Sequence, residues 1–124
     1  MRDIWTEPVQ WPLKIMRISP LSPFFHNARL LIAADCAAYS YEGFAALARD
    51  KVLVIGCPDG YGMGFYEKIA QIVKLNDIRE ITLVHMDANC CARMADAVIL
   101  AIRGSGRDIP LRKLTLFTAG EIVD

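Results

Sequence analysis

A chain of 124 residues, with 14 Lys and Arg against 14 Asp and Glu, carries no formal net charge, and 54% of it is hydrophobic. That length suits one domain able to bury a sizeable core. Zero net charge leaves no electrostatic footprint for nucleic acid or an anionic membrane, and no apolar run approaches the ~18 residues of a membrane span, so neither partner is expected.

The chain reads as a single α/β domain over residues 1–124 with an N-terminal arm at about 1–12. Met1 to Trp11 mixes polar and aromatic residues and does not resemble a signal peptide. A cytoplasmic location with reduced thiols is therefore expected. The next stretch is punctuated by prolines. Within it Leu13, Ile15 and Ile18 alternate with Lys14 and Arg17, interrupted by Met16. This predicts a half-exposed strand over Leu13–Ile18 at a sheet edge. Ser22 to Ala28 reads as a turn or one helical turn.

From Arg29 the rhythm changes. "RLLIAAD", "KVLVIG", "EITLVHM" and "KLTLFT" are short, continuously apolar and rich in branched residues, as central parallel strands buried on both faces are. Helical patterns separate them: Tyr41–Arg49, with Phe44, Leu47 and Ala48 on one face; Phe65–Leu75, with Phe65, Ile69, Ile72 and Val73 in a stripe; and Cys91–Arg103, with Gly104 as its C-cap. Strand and helix alternate at lengths that suit right-handed parallel crossovers. The expected fold is a small doubly wound (Rossmann-like) α/β sheet, mostly parallel, of about five strands with helices on both faces. Leu13–Ile18 is the additional strand.

All four cysteines fall where these strands end. Cys36 follows the first apolar strand, Cys57 the second, and Cys90 and Cys91 the third. In open α/β sheets the carboxyl ends of the strands lie along one edge, where binding crevices form. The four thiols can converge there if the first strand is central and the other two flank it. Asn89 reads as an N-cap that places Cys90 and Cys91 at a helix start, where the dipole favours thiolate. Asp35, Asp87 and His85 stand near the same edge as candidate supporting groups, although a strand-end carboxylate also suits helix capping and a strand histidine suits a structural hydrogen bond. Gly60, Gly62 and Gly64 form a weak candidate anion-binding loop between a strand and a helix; their spacing is not that of a dinucleotide fingerprint.

The runs "LLIAADCAAYSY", "KVLVIGCPD" and "YEKIAQIVKLNDIREITLVHMDANCC" resemble a domain of uncharacterised 4Fe-4S ferredoxin-type iron–sulfur binding proteins of anaerobes. That family's cysteine-bearing blocks land on Ala33–Cys36, on Gly56 onward, and on Met86–Arg93. Its cysteines match Cys36, Cys57, Cys90 and Cys91. The chain departs from the pattern at Asp59, where the family has lysine, and at Ala92 and Arg93, where it has two glycines. No ferredoxin cluster motif is present. The resemblance implies a redox neighbourhood.

The expected function is a metal- or iron–sulfur-associated redox domain, with thiolates of Cys36, Cys57, Cys90 and Cys91 holding zinc or an iron–sulfur cluster, alone or with a redox partner protein. Adjacent helical residues point about 100° apart, so three thiolates with a carboxylate or water fit a single zinc better than four. Two alternatives stand beside it. One is a cysteine-dependent enzyme with a low-pKa thiol. The other is a docking module that has lost its site, with Trp5 and Trp11 as contact residues and a homodimer through the arm or the edge strand.

Overall fold

The structure, a computed structural model, describes residues 10–58 and 62–124, without the side chain of residue 90. The four apolar runs form strands: β1 (Arg29–Ala34), β2 (Val52–Gly56), β3 (Glu80–Met86) and β4 (Leu111–Leu116). A two-residue strand, β5 (Ile122–Val123), completes a sheet of order β2-β1-β3-β4-β5. The first four strands run parallel and β5 runs antiparallel to β4. β1 has strands on both sides and helices above and below, so Leu30 through Ala34 are all buried. Each large side chain removed from water this way contributes about 1.5–3 kcal/mol.

Helices α1 (Asp35–Ser40) and α2 (Phe44–Ala48) connect β1 to β2, α3 (Met63–Leu75) connects β2 to β3, and α4 (Met94–Ser105) connects β3 to β4. The strand order moves one way after β1 and the other way after β2. Right-handed crossovers therefore put α1 and α2 on one face and α3 and α4 on the other. The stripe Phe65, Ile69, Ile72 and Val73 is the buried face of α3, and Met94, Ala95, Val98 and Ala101 form that of α4. The two helices lie against each other. At their far ends the Arg107 guanidinium donates to the Val73 carbonyl. Among the described residues, no helix is long and apolar enough to cross a membrane.

Four local expectations are corrected. Leu13–Ile18 is not a strand: Lys14 makes one parallel bridge to Ile55, and the chain then turns, with Arg17 and Ile18 N–H groups both donating to the Lys14 carbonyl. Ile15 and Ile18 are buried all the same, at 1% and 2% exposure, so their apolar signal was packing, not strand alternation. The fifth strand is β5. The helix expected over Tyr41–Arg49 is shorter, α2 at Phe44–Ala48, and a separate helix, α1, precedes it at Asp35–Ser40, with a break between Ser40 and Phe44. The C-cap of α4 is Gly106, left-handed at φ 74°, with Gly104 inside the last turn; the αL residue closes the helix because only glycine takes that conformation without cost. Trp5 and most of the N-terminal arm lie outside the described residues, whereas Trp11 is described and exposed.

Candidate functional site at the carboxyl edge of the sheet

The strands β2, β1 and β3 are neighbours with β1 in the middle, as the convergence of the cysteines required. Ala34 is registered with Gly56, and Ala33 with Val84, the residue before His85. Adjacent strands lie about 4.8 Å apart, so the segments bearing Cys36, Cys57 and Cys90–Cys91 leave three neighbouring strand ends. The chain moves from β1 towards β2 and from β3 towards β4. The crevice of a doubly wound sheet opens between such diverging connections.

β1 passes into α1 without a loop. Asp35 is the first residue of α1 and Cys36 the second; both are exposed. The capping role open to Asp35 is not taken, as no side chain caps α1. α1 touches β2 and β3 as well as β1, so it straddles the edge. Cys57 is half-buried directly after Gly56. The identity of residue 56 is set by packing: a Cβ there would come within 2.6 Å of Ile15 Cγ2 and 3.1 Å of Phe65 Cε1. Glycine lets the segment after the Lys14 bridge and the start of α3 close over the end of β2, and it fixes where Cys57 leaves the sheet. Cys36 and Cys57 are free thiols.

The double cysteine is arranged differently from the expectation. Asn89–Cys91 form a separate single turn of 3-10 helix, with Ala88 before it, and α4 starts only at Met94. Cys91 and Ala92 N–H groups bond to the Ala88 and Asn89 carbonyls, and the first bond of α4 runs from Ala97 N–H to the Arg93 carbonyl. The dipole of α4 therefore does not begin at the thiols. Cys91 is 2% exposed and belongs to the apolar core.

His85 is buried near the end of β3. Its Nε2 lies 3.2 Å from Thr115 Oγ1, across the registered pair His85–Thr115, and its Nδ1 is buried without a hydrogen-bond partner among the described residues. Burial first, and then the Lys113 ammonium, push its pKa below the ordinary value, against weaker opposing effects of the Met86 backbone and Asp87. The imidazole is thus neutral at neutral pH. Thr115 carried no sequence signal of its own, because its role depends on β4 lying beside β3. Asp87 is exposed, and its N–H extends the β3–β4 pairing to the Leu116 carbonyl at 2.9 Å.

Of the glycine loop, Gly60 and Asp59 lie outside the described residues. Gly62 precedes α3 with φ 58°, and Gly64 sits in its first turn. Among the described residues, no three His, Cys, Asp or Glu side chains are gathered to hold a metal ion. Among the described side chains, the edge offers two accessible thiols from adjacent strands, two exposed carboxylates, a neutral histidine and a buried thiol.

An uncharacterised protein of Archaeoglobus fulgidus is 29% identical over 119 residues, covering 94% of this chain and 83% of that protein. No solved structure matches the chain. A family model described as a Rossmann-like domain matches residues 22–124. The match takes in every strand and helix of the sheet and stops short of the N-terminal segment, and on that extent the chain belongs to the Rossmann-like domain family.

Proposed function

We propose that this domain holds a thiophilic metal centre, zinc or an iron–sulfur cluster, at the carboxyl edge of its sheet, and that with a cluster it exchanges electrons with a partner protein in the reducing cytoplasm. The observation that carries this reading is the strand order: the three strands that precede all four cysteines are adjacent, with β1 between β2 and β3. Soft thiolate donors suit zinc and iron–sulfur centres. The resemblance to ferredoxin-type proteins adds the redox context.

Cys36 and Cys57, the accessible thiols, are the first two ligands, and Cys90 is the third by its position in the chain. Asp35, Asp87 or a water completes the set. The Cys90–Cys91 turn follows a short exposed stretch, Asp87–Asn89, and can adjust as the metal binds. Binding energy would then order the edge, as it does wherever a metal site forms together with its local structure. Cys91, deep in the core, joins only if that turn rearranges, and His85 supports the edge through its bond to Thr115.

The test is metal analysis and visible absorption of protein purified without oxygen, beside the Cys36→Ser and Cys57→Ser variants. Stoichiometric zinc or iron, reduced in both variants, is expected. Protein that arrives without metal, and then takes up neither zinc nor an iron–sulfur cluster on reconstitution, removes the reading.

A further inference from the structure

The outer surface of the α3–α4 pair is the second feature of the molecule that asks for an occupant. Both helices run from the carboxyl edge of the sheet to the amino edge. Between them lies an open groove of about 510 Å³, lined chiefly by Met63, Tyr66, Ala97 and Leu100, with Arg93 at one end and Lys74 at the other. Met63 and Leu100 are 68% and 65% exposed. Asp96 and Leu100, both in the groove lining, form one stripe along α4 with Arg103. Asp96 and Arg103 are seven residues apart, so they project within ~20° of each other. Both are exposed, and neither has an ion-pair partner among the described residues of its own chain.

We infer that this face binds a second copy of the same chain, through α4 packed antiparallel on α4 about a two-fold axis. Asp96 and Arg103 lie at equal distances on either side of the Ile99–Leu100 peptide. A two-fold axis there puts Asp96 against Arg103 of the partner subunit, and Arg103 against Asp96 of the partner subunit. The two Leu100 side chains meet at the centre, beside the grooves. A two-fold interface has to be self-complementary in this way. Parallel pairing would instead oppose Asp96 to Asp96. Ala97 and Gly104 on the groove side of the stripe let the helices approach to the 8–10 Å of ordinary helix packing. The leucines and Met63 supply apolar burial, and the two ion pairs set the orientation.

The sheet edges do not offer the same opportunity. The outward backbone groups of β2 are taken: Ile55 N–H and C=O by Leu13 and Ile15, and Leu53 N–H and C=O by the Gln10 side chain. At the other edge β5 is two residues long, and so short an edge strand is a poor template for pairing. A contact confined to one helix pair lies at the small end of specific interfaces, so the dimer is expected to dissociate on dilution.

Sedimentation equilibrium from the micromolar to the millimolar range tests this. The wild-type mass should rise from 13.8 kDa towards twice that value. Leu100→Glu should raise the dissociation constant roughly tenfold or more. Asp96→Arg, which opposes arginine to arginine, should weaken the dimer as well, and the charge exchange Asp96→Arg with Arg103→Asp should restore it. All three positions are exposed, so the variants should keep the wild-type circular dichroism. A wild-type mass that stays at 13.8 kDa overturns the inference, as does a dimer indifferent to Leu100→Glu. So does a folded double variant that remains as weak as Asp96→Arg alone.

Discussion

Gln10 and Leu53, 43 residues apart, are joined by two hydrogen bonds: the Gln10 amide donates to the Leu53 carbonyl at 2.6 Å and accepts from the Leu53 N–H at 2.8 Å. A single side chain thus does the work of a neighbouring strand. It sits one step along from the Lys14 bridge, and Gln10 is only 3% exposed. Together the two contacts seal the open side of β2, where unpaired backbone would otherwise invite another chain.

Gln10→Ala should therefore lose more stability than a surface substitution. It leaves the Leu53 N–H and C=O without their partners and opens the edge. Unpaired buried polar groups cost about 1–3 kcal/mol, and that is the expected loss, read as a lower urea midpoint with an unchanged m-value. A midpoint equal to wild type would mean that water satisfies Leu53 equally well.

The contrast between this pair and the strands shows what the sequence makes visible. Leu30–Ala34 and Ile81–His85 are buried continuously, so their composition alone marked them as central parallel strands, and the placement of Cys36 and Cys57 after β1 and β2 followed. The Gln10–Leu53 and His85–Thr115 pairs leave no periodic trace, because they depend on which segments become neighbours. The misplaced start of α4 has a local cause. Asn89 has the chemistry of a cap, but the Ala88 and Asn89 carbonyls accept from Cys91 and Ala92. That closes a 3-10 turn before the helix can begin. Asp96 and Arg103 are ordinary solvated charges in the sequence; their seven-residue spacing matters because Leu100 is exposed between them, which depends on how α4 packs.

His85 supplies a pH dependence whose sign is fixed. Its folded pKa lies below the ordinary value of about 6.5, chiefly through burial, whereas the unfolded chain titrates near about 6.5. As pH falls below that value the unfolded state takes up the proton first, and stability declines with it. Above about 6.5 both states are neutral and the contribution is complete. The Cε1 proton of His85 should titrate in an NMR series with a midpoint below 6.5, and His85→Gln should flatten the stability profile just below that pH. A midpoint above 6.5 would mean that Asp87 and the Met86 backbone outweigh burial and Lys113, the reverse of the order described.

The three described cysteines should separate by access. Thiol modification needs thiolate character and an open path to the sulfur. Cys36 is exposed, Cys57 is half-buried and Cys91 is 2% exposed. Treating the metal-free native protein with N-ethylmaleimide, followed by peptide mass spectrometry, should show Cys36 modified first and Cys57 next. Cys91 should react only through opening of the core, and its rate should rise as urea is added. Equal rates for Cys36 and Cys91 in the native protein would contradict the burial of Cys91 in the core. The same measurement after addition of zinc has a different expectation. If Cys36 and Cys57 are ligands, both should become protected together, because a metal-bound thiolate is withdrawn from alkylation. Protection of neither would leave these two thiols as independent surface groups on adjacent strand ends. Protection of one alone would assign the metal to a site that the β1–β2 pairing does not create.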